Sequence, residues 1–180
     1  MTTVETCAVV FHPNKENMTV LDTEADPIFK LIRMLDVVLV KYKHINKPCL
    51  PFVKIGDTER LPEAIDRCCE GINLKGLDHF PMGIADEPER DPEGRSFLHI
   101  YIDVVEDIEQ NIILPTDEEI EKVWWTCADS IGKDDLHLDH QLVIRDAIGI
   151  VIKNQPGMQE MLQQQNQQRA GSQGSLIGPK

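Results

Sequence analysis

The sequence has few of the local patterns that announce a reaction. No G-x-x-x-x-G-K-[ST] and no G-x-G-x-x-G occurs among its 11 glycines, which stand singly, so nothing in it announces a phosphate cradle. A G-x-S-x-G elbow is missing, as are H-E-x-x-H and the D-x-[DN]-x-[DN]-G calcium loop, and no local signature surrounds any cysteine. The five cysteines, Cys7, Cys49, Cys68, Cys69 and Cys127, are odd in number and contain no C-x-x-C pair. That argues against a disulfide framework and a zinc ribbon, and leaves most of them as small buried hydrophobes.

Long apolar runs are also lacking. No stretch reaches the roughly 18 apolar residues of a spanning helix, and Met1 to Thr6 has neither the basic residues nor the apolar run of a signal peptide. A cytoplasmic location without membrane contact is the expectation.

Basic residues are scarce over one long window. Residues 76–140 hold 18 of the 31 acidic residues and four of the 18 basic ones, a net charge of −14. Residues 27–75 carry nine Lys and Arg against six Asp and Glu. Such an asymmetry bears on partners and association rather than on fold. It predicts attraction to a basic protein surface and repulsion of nucleic acid. The only basic stripe, Lys41, Lys43, His44 and Lys47, is explained by complementing a helix C-terminus, so no direct nucleic-acid binding is expected.

What is present fits an ordinary soluble domain, 41% hydrophobic and 27% charged over 180 residues. The expected fold is a single α+β domain, residues 1–154, with a small, mostly antiparallel sheet packed against three to four helices. Cys7 to Phe11 reads as a strand, with turn residues leading to a second at Met18 to Leu21. Asp26-Pro27 reads as a helix start, and the apolar positions Ile28, Leu31, Ile32, Leu35, Val38, Leu39 and Tyr42 predict a helix from Pro27 to about His44. In that segment the run Val37-Val38-Leu39-Val40 is where a strand competes.

Pro51 to Ile55 reads as a strand and Pro62 to Glu70 as a short helix with Gly71 at its end. Residues 76–95 read as a long irregular loop. Phe97 to Val105 alternates strictly, placing Leu98, Ile100, Ile102 and Val104 on a core face opposite Phe97, His99, Tyr101 and Asp103. Thr116-Asp117-Glu118-Glu119 fits a capping box and predicts a helix bearing Ile120, Val123, Trp124 and Cys127, with Trp125 off its stripe. A last helix is expected over about Leu138 to Lys153. Residues 155–180, rich in Gln and then in Gly and Ser, read as a flexible tail.

The densest group of ligand-type side chains is Asp134-Asp135-Leu136-His137-Leu138-Asp139-His140. Imidazole and carboxylate suit a transition metal, so His137, Asp139 and His140 are the candidate metal ligands, with His99 and Asp103 framing the site about 13 Å apart on their strand. The plainer account makes Asp134 or Asp135 a helix cap and puts both histidines on the first exposed turn.

Pattern alone therefore favours a non-enzymatic interaction or regulatory protein, with no cofactor and no catalytic residue assigned. The docking surface would be formed by Asp86, Glu87, Glu89, Asp91, Glu93, Glu106, Asp107, Glu109, Glu118 and Glu121. Nucleic-acid mimicry is one form of this reading. Another is a subunit of a viral or other assembly, or of a homo-oligomer. A metal-dependent hydrolase built on His137, Asp139 and His140 is the alternative.

Overall fold

Seven consecutive residues of the first strand, Glu5 to Phe11, are buried. Successive side chains of a strand point to opposite faces, so this strand is covered on both sides and lies inside its sheet. In a computed structural model, which describes residues 3–14, 32–86, 96–106, 113–132 and 134–154, this strand is β1, Thr3–Pro13.

Strand β2, Leu35–Tyr42, pairs antiparallel with β1 through Phe11↔Val37 and Pro13↔Leu35. The expected helix over Pro27 to His44 is therefore corrected across its second half. Apolar residues at nearly every position satisfy a helical period as easily as a strand, and the β-branched Val37, Val38 and Val40 decide the matter because all three are fully buried.

Strand β3, Phe52–Lys54, is short and also pairs with β1. Strand β4 is Phe80–Ala85 and β5 is Ser96–Val104. β5 runs parallel to β1 from Thr3↔Ser96 to Phe11↔Val104, and β4 adds antiparallel at its other side. The sheet order is β4-β5-β1-β2-β6, with β3 off this path beside β1, so the sheet is mixed, with a parallel pair near its centre. Residues 80–85, expected as loop, form its edge.

Strand β6, Ile120–Cys127, replaces the helix expected after Thr116 and pairs with β2 from Asp36↔Cys127 to Tyr42↔Ile120. The capping residues are used otherwise. The amides of Thr116 and Asp117 donate to Gly71 O at 2.9 and 3.2 Å, and Asp117 Oδ1 accepts from the Glu119 amide at 2.9 Å, which closes a side-chain turn instead of opening a helix.

Two helices are described, α1 over Leu61–Glu70 and α2 over His140–Asn154, in place of three to four. Helix α1 begins as its sequence demands, with Pro62 in the first turn and Glu63 reaching back to the Arg60 amide. It buries Ile65, Cys68 and Cys69 against Ala8, Val10, Val38 and Val40. Each fully buried aliphatic side chain of this layer contributes about 1.5–3 kcal/mol relative to exposure.

By its internal contacts the chain divides into two units, Met1–Ala147 and Ile148–Lys180, with the boundary inside α2. The expected strand at Met18 to Leu21 and the expected tail over residues 155–180 lie outside the described residues. No helix among the described residues is long and apolar enough to cross a membrane.

Candidate functional site

Strand β5 presents Tyr101 and Asp103 on the face that α1 covers. Tyr101 packs against the core there, while Asp103, though ionisable, is only 4% exposed. A carboxylate taken out of water must find donors, and Asp103 meets two nitrogens of a single residue, His79. Past the end of α1 the chain turns through Asn73 (φ 64°) and Gly76 (φ 66°), and His79, just before β4, itself adopts φ 51°. Turned this way, the His79 amide donates to Asp103 Oδ1 at 2.8 Å and its Nδ1 lies 2.9 Å from Oδ2. The other ring nitrogen, Nε2, is 3.1 Å from Oδ1 of Asp66 on α1.

His79 is thus held between a buried and an exposed carboxylate, its side chain 12% exposed, with the Tyr101 ring edge-on at 6.4 Å. A neutral imidazole carries one N–H and cannot donate to both acids.

Cys69 of α1 completes the cluster. One ligand atom each from Cys69, His79 and Asp103 lie within 4.8 Å of one another. Burial pushes the thiols of Cys68 and Cys69 well up and that of Cys49 to about 12, so these are not thiolate nucleophiles on their own.

Two carboxylates of this region, Glu59 and Glu63, are engaged by arginines. Arg67 donates to both oxygens of Glu59 at 2.9 and 2.8 Å, which with the Gly56 amide lowers the Glu59 carboxyl to about 2. Arg60 likewise holds Glu63 below the usual carboxylate range.

The ligands expected from the sequence are not gathered. Among the described residues the one group of three with metal-ligand reach is Cys69, His79 and Asp103; His137, Asp139 and His140 do not form one. His140 is 1% exposed, its Nδ1 accepts from the Leu50 amide at 3.0 Å, and its ring meets Phe52 edge-on at 5.7 Å. It is a buried structural histidine and not a residue of an exposed first turn. The His137 amide donates to Pro48 O at 2.8 Å. His99 is half-buried, and Asp103 serves His79 instead of pairing with it across a site. Of the acidic residues, Asp86, Glu106, Glu118 and Glu121 are exposed, while Glu87, Glu89, Asp91, Glu93, Asp107 and Glu109 lie outside the described residues.

Cys69, Asp66 and His79 were invisible as a site from sequence. They lie on a helix and in a turn, and Asp103 is 24 residues beyond His79. The available signal was a carboxylate on a face of β5 that the fold then covers.

No protein-family model and no curated protein sequence matches this chain. Solved structures do. The NUDIX domain of Shewanella oneidensis NrtR, complexed with ADP ribose, aligns with a TM-score of 0.68 over 84% of this chain and 89% of that one, at 16% identity. The fold is NUDIX-like. A mutT/nudix family protein from Listeria innocua aligns with a TM-score of 0.60 at 16% identity, over 84% of this chain and 94% of its own. A bifunctional NMN adenylyltransferase/ADP ribose pyrophosphatase from Francisella tularensis, complexed with AMP and a manganese ion, aligns at 0.55 and 17% identity, over 85% of this chain and 42% of its own. These likenesses overturn the reading of an acidic docking protein, and give no support to a viral or assembly subunit.

Proposed function

We propose that this chain binds a pyrophosphate-linked nucleotide of the ADP-ribose class. The observation that carries the reading is the likeness, over most of both chains, to a NUDIX domain crystallised with ADP ribose. Fold alone does not fix chemistry, so the side chains decide between binding and turnover.

Hydrolysis of a pyrophosphate calls for a hard divalent cation held by carboxylate and other oxygen ligands. Four carboxylates on and around α1 do not fit that demand. Glu59 and Glu63 are taken by Arg67 and Arg60, Asp66 and Asp103 face His79, and the group with metal-ligand reach includes a thiol. That favours recognition without turnover, as in a ligand-responsive regulatory domain. No catalytic step is derived for these residues.

The second reading is a metal-dependent hydrolase of the same ligand class, favoured by the likeness to the mutT/nudix protein and to the pyrophosphatase bound to manganese. One experiment separates the two. The purified chain is incubated with ADP-ribose, with and without magnesium or manganese, while melting temperature and nucleotide products are followed. A saturable rise in melting temperature without AMP release supports binding. AMP release that requires the cation supports the hydrolase. Neither effect at millimolar ADP-ribose removes both.

A further inference from the structure

We propose that Cys69, His79 and Asp103 form a zinc site that ties α1, the turn before β4 and β5 together. The inference stands on the cluster's own geometry, independently of the nucleotide reading.

Softness of the ligands selects the metal: one sulfur, one imidazole nitrogen and one carboxylate oxygen suit zinc, whereas magnesium and calcium take oxygen. Ligand bonds of about 2.0–2.3 Å place tetrahedral ligand atoms about 3.3–3.7 Å apart. The three atoms already lie within 4.8 Å of one another, and His79 Nδ1 and Asp103 Oδ2 stand 2.9 Å apart. An ion is therefore accommodated by side-chain shifts of less than about 1.5 Å.

The surroundings also provide what a ligating histidine needs. With Nδ1 on the metal, Nε2–H donates to Asp66 Oδ1 at 3.1 Å, fixing the tautomer and the plane of the ring. Asp103 keeps Oδ1 on the His79 amide and offers Oδ2. Asp103 is nearly fully buried and Cys69 1% exposed, so both are prepositioned by packing. A water molecule would be the fourth ligand.

Binding is balanced by proton release. The Cys69 thiol gives its proton to solvent and becomes a thiolate, while His79 binds through an unprotonated Nδ1. The ion then meets two anionic ligands and one neutral one, with the Asp66 carboxylate outside. Zinc affinity must accordingly fall as pH falls.

The test uses the full chain, stripped of metal by chelator and then titrated with zinc and, separately, with cobalt(II) as a spectroscopic probe. One equivalent of zinc is expected, with thiolate-to-cobalt absorption in the wild type and in Cys127→Ser, and none in Cys69→Ser. Because a core substitution can unfold the chain, Asp66→Asn serves as the surface variant. It should keep the cobalt spectrum and weaken zinc binding about 10-fold or more. A folded wild-type chain that takes up no zinc and shows no sulfur–cobalt band overturns the proposal, as does a band that persists in Cys69→Ser.

Discussion

Replacing His140 with leucine separates the buried structural histidine seen here from a metal ligand. In the wild type the ring has almost no exposure, and its Nδ1 is the acceptor for the amide of Leu50, a residue with none at all. Leucine fills much of the volume but leaves that amide without its acceptor, which costs about 1–3 kcal/mol. Loss of the edge-on contact with Phe52 at 5.7 Å adds about 0.5–1.5 kcal/mol. Together these make about 2–4 kcal/mol. For a domain of this size that lowers the melting temperature by roughly 5–15 °C. The assay is thermal or urea unfolding of the two proteins side by side, with metal content measured on both. The expected result is a large loss of stability and an unchanged metal content. A variant that melts like the wild type refutes the hydrogen-bond assignment, and one that loses a bound metal restores His140 as a ligand.

Tyr42 offers a parallel case: its hydroxyl donates to Phe52 O at 2.7 Å and accepts from the Phe52 amide at 3.1 Å, so Tyr42→Phe leaves both β3 groups unpartnered and should cost about 1–3 kcal/mol in urea unfolding. Glu59 supplies a pH signature. The bidentate bond from Arg67 holds its folded-state carboxyl at about 2 against an ordinary value near 4.5, so its contribution is complete above about pH 5 and is lost as pH falls toward 2. Glu59→Gln should accordingly flatten the acid limb of the stability profile; an unaltered acid limb counts against the ion pair.

The parts of the fold legible in the sequence were those whose pattern admits one period. Phe97 to Val105 alternates strictly and Ser96–Val104 is strand β5, although Val104, expected on the core face, is exposed; Pro62 to Glu70, with its proline start and Glu63, falls within helix α1, Leu61–Glu70. The misread elements were ambiguous for physical reasons. Val37 to Val40 is apolar at every position because β2 is buried on both faces, so periodicity carries no information there. Thr116 to Glu119 has the residues of a helix cap but spends them on the end of α1, a use set by tertiary contact. The site was less legible still. Asp103 stood out as a carboxylate on a strand, yet its partner His79 is brought to it by a turn through residues in left-handed conformations, and no spacing rule connects the two. His137, Asp139 and His140 are adjacent in sequence, yet among the described residues they do not form a group with metal-ligand reach.

Isothermal titration of the full chain with ADP-ribose, in the presence and absence of magnesium, tests the central claim most directly. The account predicts saturable one-site binding that does not require the cation, with free ribose 5-phosphate a much weaker ligand. Absence of binding heat at millimolar ADP-ribose, with the chain shown to be folded by its melting transition, contradicts it.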